Sequence, residues 1–148
     1  RLLMNNSAGF TLAELVVTIV LVGILAATAI PTFNNVMVST QLQINKSNME
    51  SIKNAFVRYY FVTQNDPPPV PENHLLDSEY KDLVLPDGRT PDNLFNGKDG
   101  LPYNSNGDPY SYYQENDTSS TGFVSRTITI KDMNTDSPSY EEYVIGGI

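Results

Sequence analysis

The longest apolar run in the chain constrains its fold more than any other feature. Residues 10–31 read FTLAELVVTIVLVGILAATAIP, a stretch of 22 residues with a single charged side chain, Glu14. As an α-helix this stretch would be about 33 Å long, because each residue adds about 1.5 Å. That length matches the hydrocarbon core of a bilayer, which is about 30 Å thick. The sequence therefore predicts a membrane-spanning helix over residues 10–31, preceded by a polar leader over residues 1–9.

The helical pattern continues beyond Pro31 but becomes one-sided. Large apolar side chains recur near helical spacing between polar ones, at Phe33, Met37, Ile44, Met49, Ile52, Phe56 and Tyr59. We therefore predict one helix from about Phe10 to about Val62, amphipathic over residues 32–64. Pro31 removes one backbone donor, so it should bend this helix without ending it. The run from Asn65 to Pro69 should end it.

Residues 65–148 have the pattern of a small domain of helix turns, loops and strands. Asp77 is placed to cap one or two helical turns between Ser78 and Val84. In the last third, residues 127–130 alternate with a period of two, which predicts a half-buried strand at Phe123–Lys131. Two further strands are predicted at Tyr110–Tyr113 and Tyr140–Ile145, and the loops between consecutive strands indicate an antiparallel arrangement. The predicted fold class is α+β. The second half of the long helix would cover one face of a small antiparallel sheet.

Composition argues against several classes of function. The formal net charge is −8, and beyond Gln64 there are 15 carboxylates against 5 basic residues, so no nucleic-acid surface is expected. The chain has no cysteine, which excludes disulfides and thiolate metal sites. Its one histidine, His74, has no nucleophile pattern near it, and the sequence contains no phosphate-binding loop. We therefore predict that the protein is not an enzyme.

Glu14 is the unusual residue of the apolar run, because a carboxylate at the centre of a bilayer costs about 2.5–3.5 kcal/mol. The run could be a secretory signal peptide that is cut after Ala27-Thr28-Ala29. It could instead be a plain membrane anchor whose Glu14 reaches toward the interface. In a third interpretation the chain is cut between Gly9 and Phe10. The new Phe10 ammonium of one copy could then pair with Glu14 of an incoming copy and set the register of stacked helices.

The same segment resembles a known class of signal. The matching residues are Gly9-Phe10-Thr11-Leu12-x-Glu14-Leu15 and Gly23-Ile24-Leu25-Ala26-Ala27-x-Ala29-Ile30-Pro31. They resemble the class III signal and N-terminal helix of type IV pilins and type II secretion pseudopilins, which implies a pilin fold. The resemblance also implies cleavage after Gly9 by a prepilin peptidase, methylation of the Phe10 amine and a role for Glu14 in assembly. Gly23 and Pro31 would bracket a stretch that loses helicity in the filament.

A second resemblance lies nearer the C-terminus. The segment Asn106-Gly107-Asp108-Pro109-Tyr110-Ser111-Tyr112, preceded by Asp99-Gly100-Leu101-Pro102, is similar to a segment of type II secretion major pseudopilins. That resemblance implies a calcium site late in the chain. The candidate ligands are Asp132, Asn134 and Asp136, with Ser137 as a fourth oxygen. The same Asp-x-Asn-x-Asp pattern is also typical of a solvated turn without metal.

The resemblances together predict a structural subunit of a filament. The domains would be the leader 1–9, the transmembrane and filament-core helix 10–31, its amphipathic continuation 32–64 and a globular part over 65–148. We expect the inner membrane, crossed once, to hold the protein before assembly, and a periplasmic or surface filament to hold it afterwards. The expected partners are further copies, other pilins or pseudopilins, the prepilin peptidase, an inner-membrane assembly platform and the lipid bilayer. The Pro-Tyr-x-Tyr segment and the missing disulfide favour a pseudopilin. The alternatives are a type IV pilus pilin, major or minor, that serves adhesion, motility or DNA uptake, and a monomeric membrane-anchored binding module.

Overall fold

The structure, a computed structural model, describes residues 9–64, 66–95, 100–120, 122 and 124–148. Predictions that concern residues 1–8, Asn65, residues 96–99 or Phe123 lie outside the described residues. The chain divides into two compact units, Arg1–Val38 and Ser39–Ile148, and each is treated by itself below.

The first element is one long helix, as the sequence predicts. Helix α1 spans Leu12–Thr63, 52 residues, and Pro31 lies inside it. Proline cannot donate the hydrogen bond that its position in a helix normally makes, so a carbonyl one turn earlier loses its helical partner. Two threonine hydroxyls donate to carbonyls of this region: Thr28 Oγ1 to Leu25 O at 3.0 Å and Thr32 Oγ1 to Thr28 O at 3.1 Å.

The buried face of α1 begins later than the apolar spacing predicts. Its buried residues are Asn45, Met49, Ile52, Ala55, Phe56 and Tyr59. Phe33, Met37 and Ile44 belong to the predicted stripe but are exposed. Helical spacing identifies which residues share a face, but it does not tell where along the helix another element covers that face.

Two short helices follow in the C-terminal unit. Helix α2 spans Ser78–Lys81, and the Asp77 side chain accepts hydrogen bonds from the backbone N–H groups of Glu79 and Tyr80. The predicted cap at Asp77 is therefore confirmed. A 3₁₀ turn, which the sequence analysis does not predict, spans Asp92–Leu94.

Three antiparallel strands complete the α+β fold and confirm the predicted class. Strand β1 spans Ser111–Thr118, β2 spans Val124–Lys131 and β3 spans Tyr143–Gly147, in the sheet order β1-β2-β3. Strand β1 is longer than predicted. Its polar end, from Gln114 onwards, is held by backbone pairing with β2, and hydrophobic alternation does not reveal that pairing.

The core of the C-terminal unit lies between α1 and one face of the sheet. Tyr112, Ile130 and Val144 are paired across the three strands, and all three are buried in the same cluster as the α1 side chains. Gly146 of β3 shows how closely the helix approaches. A Cβ atom at this position would lie 2.9 Å from Lys53 Cγ and 3.2 Å from Val57 Cγ2, so a larger residue would push α1 off the strand.

Candidate functional site

The start of α1 brings together two residues of the motif that the sequence analysis identifies. Glu14 Oε2 accepts a hydrogen bond from the Thr11 backbone N–H at 2.9 Å and from Thr11 Oγ1 at 2.8 Å. The Glu14 backbone N–H in turn donates to Thr11 Oγ1 at 3.2 Å. These reciprocal bonds form a capping box, in which residues three apart satisfy each other's backbone donors.

The capping box gives Glu14 a local structural role that sequence analysis missed. The Thr-x-x-Glu spacing in front of an apolar run is a readable signal for such a box. Capping and assembly are compatible, because the box uses one carboxylate oxygen, Oε2. The two roles therefore need variants that separate them.

The proposed cleavage point lies just outside the helix. Gly9, Phe10 and Thr11 precede the first helical residue, Leu12, and the Phe10 side chain is 85% exposed. The alternative cleavage point after Ala29 lies inside continuous helix. A bond in non-helical, exposed chain is easier for a protease to bind than a bond inside a helix. The geometry therefore favours cleavage between Gly9 and Phe10.

None of the described residues of the N-terminal unit is buried. Every residue from Gly9 to Val38 is exposed, among them the large side chains of the predicted membrane span. By length and composition α1 is able to cross a membrane. So much contiguous apolar surface is rare on a soluble monomer and marks a region that lipid or another protein covers.

Gly23 and Pro31 lie within this exposed stretch. A Cβ at Gly23 would meet no atom within 4 Å, so packing inside the single chain does not require glycine there. Both residues are weak helix formers, by about 1 kcal/mol for glycine and about 3 kcal/mol for proline relative to alanine. Their effect in the isolated chain is therefore to lower the stability of the helix between them.

The predicted calcium ligands lie in the loop between β2 and β3, and they differ in their surroundings. Asp132 is completely buried, whereas Asp136 is exposed. Asn134 accepts a bond from the Asp136 backbone N–H at 2.8 Å, and its amide group donates to Asp108. Within the described part of the chain, no group of three or more His, Cys, Asp or Glu side chains is placed to hold a metal ion.

Hydrogen-bond donors surround the Asp132 carboxylate. Oδ1 accepts from the Asn134 backbone N–H at 3.2 Å and from Asn104 Nδ2 at 3.3 Å. Oδ2 accepts from the hydroxyls of Ser137, at 2.6 Å, and of Ser139. A cation at Oδ2 would face these hydrogens instead of lone pairs, so the arrangement does not fit a calcium site. The calcium site and the metal-free turn both stay predictions, and this geometry favours the turn.

Asn45 of α1 extends the same network, and the sequence analysis does not single it out. Its Nδ2 lies 2.8 Å from Ser139 Oγ and 3.1 Å from Ser137 Oγ, and its Oδ1 accepts from the Ser105 backbone N–H at 2.7 Å. Asn45 is fully buried. It therefore joins the helix to two loops that are distant in sequence. The only sign of this role in the sequence is that Asn45 is a polar residue within the apolar stripe of the helix.

The aromatic residues near the end of α1 divide between core and surface. Phe56 is buried and makes an edge-to-face contact with Tyr112, with ring centroids 4.9 Å apart. Phe61 is 64% exposed. His74 is exposed as predicted, and its ring stacks on Tyr113 with centroids 4.5 Å apart. These contacts are structural and leave the N-terminal segment as the stronger functional candidate.

Comparison with protein families agrees with that choice. Residues 4–30 match the family model described as the prokaryotic N-terminal methylation motif, which is the prepilin signal of type IV pilins and pseudopilins. The predicted resemblance of this segment is therefore confirmed. No curated protein and no solved structure matches the chain significantly.

Proposed function

We propose, from the premise that the chain carries a prepilin signal, that it is a structural subunit of a type IV pilus-like filament. The observation that carries the proposal is the apolar helix of the N-terminal unit, none of whose described residues is buried. Lipid covers this surface before assembly. Copies of the same helix cover it afterwards, so the apolar side chains stay out of water in both states.

The proposal gives Glu14 its second role. Cleavage after Gly9 leaves an ammonium on Phe10, and methylation of that amine keeps its positive charge. In a dry bundle of helices, Glu14 of an incoming copy pairs with the Phe10 ammonium of a copy already in place. An unpaired charge in such a bundle would cost about 3–5 kcal/mol, so the pairing fixes the axial register of each new subunit.

Within this class we propose a type II secretion-like pseudopilin. The support is the Pro109-Tyr110-Ser111-Tyr112 segment and the absence of cysteine. Tyr110 and Tyr112 are both fully buried, so this segment forms part of the core beneath α1. A surface pilin is the second candidate, and a monomeric membrane-anchored module is the third. The prepilin peptidase, the inner-membrane assembly platform and other pilins or pseudopilins are the partners that the proposal requires.

Three variants separate the capping role of Glu14 from its charge role. Glu14→Gln keeps a capping acceptor but removes the charge. Thr11→Ala removes the cap but keeps the charge, and Glu14→Ala removes both. We expect Glu14→Gln and Glu14→Ala to abolish sheared filaments, and Thr11→Ala to keep at least about half of the yield, because a lost cap costs only about 1 kcal/mol.

The same series tests the alternatives. Membrane levels and the mass of each mature chain serve as controls for processing, with Phe10 expected as the methylated first residue. If Glu14→Gln assembles normally while Thr11→Ala does not, the carboxylate is only a cap and the charge mechanism is wrong. If the wild type forms no filaments while its monomer stays in the membrane, the membrane-anchored module replaces the filament subunit.

Immunogold electron microscopy distinguishes the two filament types. An antibody against the C-terminal unit is applied to intact cells and to cells with an opened envelope. A pseudopilin predicts label only after opening, together with loss of exported proteins in a deletion strain. Label along long surface fibres would instead identify a surface pilin.

A further inference from the structure

A small cavity in the C-terminal unit collects positive charge in an otherwise acidic protein. Its volume is about 220 Å³, and Arg58 and Tyr59 of α1, together with Arg89 and Asn93, contribute to its wall. We call it the arginine cavity. Two of the three arginines in the described part of the chain line it. In a protein of net charge −8, this grouping is the opposite of what composition leads one to expect.

Contacts within the chain hold both guanidinium groups in place. Arg58 Nη2 donates to the Leu94 carbonyl oxygen at 2.9 Å. Arg89 Nε lies 2.5 Å from Asp87 Oδ2, and the Arg89 guanidinium lies 5.3 Å from the centre of the Tyr59 ring. A guanidinium presents several N–H donors in a planar fork, so each of these bonds leaves donors for another acceptor. The groups are therefore positioned before any ligand arrives.

Tyr59 adds a buried hydroxyl to the residues that line the cavity. It is only 2% exposed, and its hydroxyl makes no well-formed hydrogen bond among the described residues, although Asp87 lies close enough to interact with it. Burial, and then the nearby Asp87 carboxylate, raise the pKa of Tyr59, so the hydroxyl keeps its proton and stays a donor. A buried hydroxyl that lacks a well-formed hydrogen bond costs about 1–3 kcal/mol, so this one would gain from an acceptor in the cavity.

The charge of the cavity selects the kind of ligand. Asp87 neutralises part of the positive charge of Arg89, so the two arginines and this carboxylate together leave about one positive charge. A carboxylate carries one negative charge and matches the planar fork of arginine. A phosphate would bring more charge than the cavity balances.

We propose that the arginine cavity binds a carboxylate side chain of a second copy of this chain. The second copy is the expected source of this carboxylate, because the chain holds 17 acidic residues and a filament surrounds each copy with others. Exposed carboxylates in the C-terminal unit include Glu72, Glu79, Asp136 and Glu141. The inference rests on the proposed filament and adds a contact between C-terminal units.

The first experiment tests the carboxylate chemistry without any filament. The full chain, labelled with ¹⁵N-arginine in micelles of an uncharged detergent, is titrated with sodium acetate against sodium chloride at equal ionic strength. We expect saturable shifts of the Arg58 and Arg89 Nε–H signals with acetate only, and none at Arg126. Arg58→Gln should weaken acetate binding about tenfold, as loss of one charge-assisted bond does. Equal shifts with both salts would overturn the proposal.

The second experiment tests the source of the carboxylate. Arg58→Lys keeps the positive charge and adds a primary amine, which a carbodiimide couples to a carboxylate in contact with it. Filaments are assembled from a mixture of ¹⁴N and ¹⁵N chains, and cross-linked peptides are identified by mass. We expect mixed-isotope links from position 58 to an Asp or Glu. The matched control is Arg126→Lys, because Arg126 Nη1 lies 2.7 Å from Asp66 Oδ1 of the same chain and should link within it.

The two experiments separate the two proposals. Suppose that acetate binds but position 58 forms cross-links only within one chain. A second copy would then be excluded as the source of the carboxylate, and a free carboxylate would remain as the ligand. If the wild type forms no filaments, the proposed function is wrong, and a second copy is then also excluded as the source of the carboxylate. The acetate titration still decides whether the cavity binds a carboxylate.

Discussion

Asn45 and Asp132 are the polar residues on which the packing of the C-terminal unit most depends. Both are fully buried, and both bond to the hydroxyls of Ser137 and Ser139. A buried polar group is tolerated only when its donors and acceptors are matched, because an unmatched group costs about 1–3 kcal/mol. The network therefore holds one arrangement of helix and loop and disfavours alternatives.

Replacing Asn45 with alanine should expose that cost. The variant leaves the Ser105 backbone N–H without its acceptor and removes the donor to two serine hydroxyls. We expect the free energy of unfolding to fall by about 2–3 kcal/mol, as measured by urea titration of the full chain in detergent micelles. Asn54→Ala, at an exposed position of the same helix, should change it by less than about 0.5 kcal/mol. Equal effects of the two variants would contradict the network's role.

Calcium provides a second test at the scale of single residues. Because protein donors already satisfy Asp132, we expect millimolar CaCl₂ to leave the Tm of the C-terminal unit within about 1 °C of its value in EDTA. Binding at a hundredfold excess over Kd would contribute about 2.7 kcal/mol and raise the Tm by about 10 °C. Scanning calorimetry distinguishes the two results, and the larger rise would restore Asp132, Asn134 and Asp136 as ligands.

At the scale of elements, two buried tyrosines hold the proline segment that follows α1. Tyr80 donates its hydroxyl hydrogen to Pro69 O and Tyr112 donates to Pro68 O, each at 2.8 Å. Burial raises the pKa of both tyrosines well above the ordinary value of 10.0. Proline has no backbone donor, so its carbonyl is the group by which another element can hold it.

These tyrosines predict a loss of stability in alkaline solution. A pKa that is raised in the folded state means that the folded chain keeps protons which the unfolded chain releases. Stability from this source is complete below pH 10 and falls as the pH rises above it. We expect the urea midpoint to decline between about pH 10 and 12. Tyr80→Phe and Tyr112→Phe should each flatten the decline, and Tyr143→Phe, which removes an exposed hydroxyl, serves as the control.

Helix α1 itself carries a further prediction. If the stretch between Gly23 and Pro31 loses helicity in the filament, Gly23→Ala and Pro31→Ala should oppose that change by about 1 and 3 kcal/mol. We expect lower filament yield for Pro31→Ala than for Gly23→Ala, with both chains inserted in the membrane normally. Leu25→Ala, within the same stretch, is the control for altered apolar surface. Normal yield of the proline variant would show that the stretch stays helical.

At the scale of the whole molecule, apolar side chains are divided between two destinations. In the C-terminal unit they form one core between α1 and the sheet. In the N-terminal unit the apolar side chains of all described residues are exposed. A single chain in water cannot keep the apolar side chains of both units out of water, because nothing in the chain covers those of the N-terminal unit.

Removal of residues 1–38 should therefore change solubility without removing the fold. We expect residues 39–148 to stay monomeric in buffer without detergent and to keep the cooperative unfolding of the full chain in micelles. Sedimentation velocity and urea titration provide the measurements. An unfolded or aggregated fragment would show that the C-terminal unit needs the preceding helix, and the full chain without detergent, expected to aggregate, is the control.

The sequence by itself determined the features that depend on neighbouring residues. The length and apolarity of residues 10–31 determine a helix whose surface avoids water, whatever follows in the chain. The cap at Asp77, the end of α1 before the prolines and the three strands follow from local backbone preferences. The prepilin signal is equally local, since its residues lie within one stretch.

Only the tertiary structure decided which distant groups meet. Asn45 bonds to residues 60, 92 and 94 positions away, and Arg58 shares a cavity with Arg89. No period or spacing encodes such pairs, because they exist only after the loops have closed and α1 has covered the sheet. The same closure surrounded Asp132 with hydroxyl and amide donors. For this reason the local sequence determined the helix and its signal, and chain closure decided the chemistry of the buried polar groups.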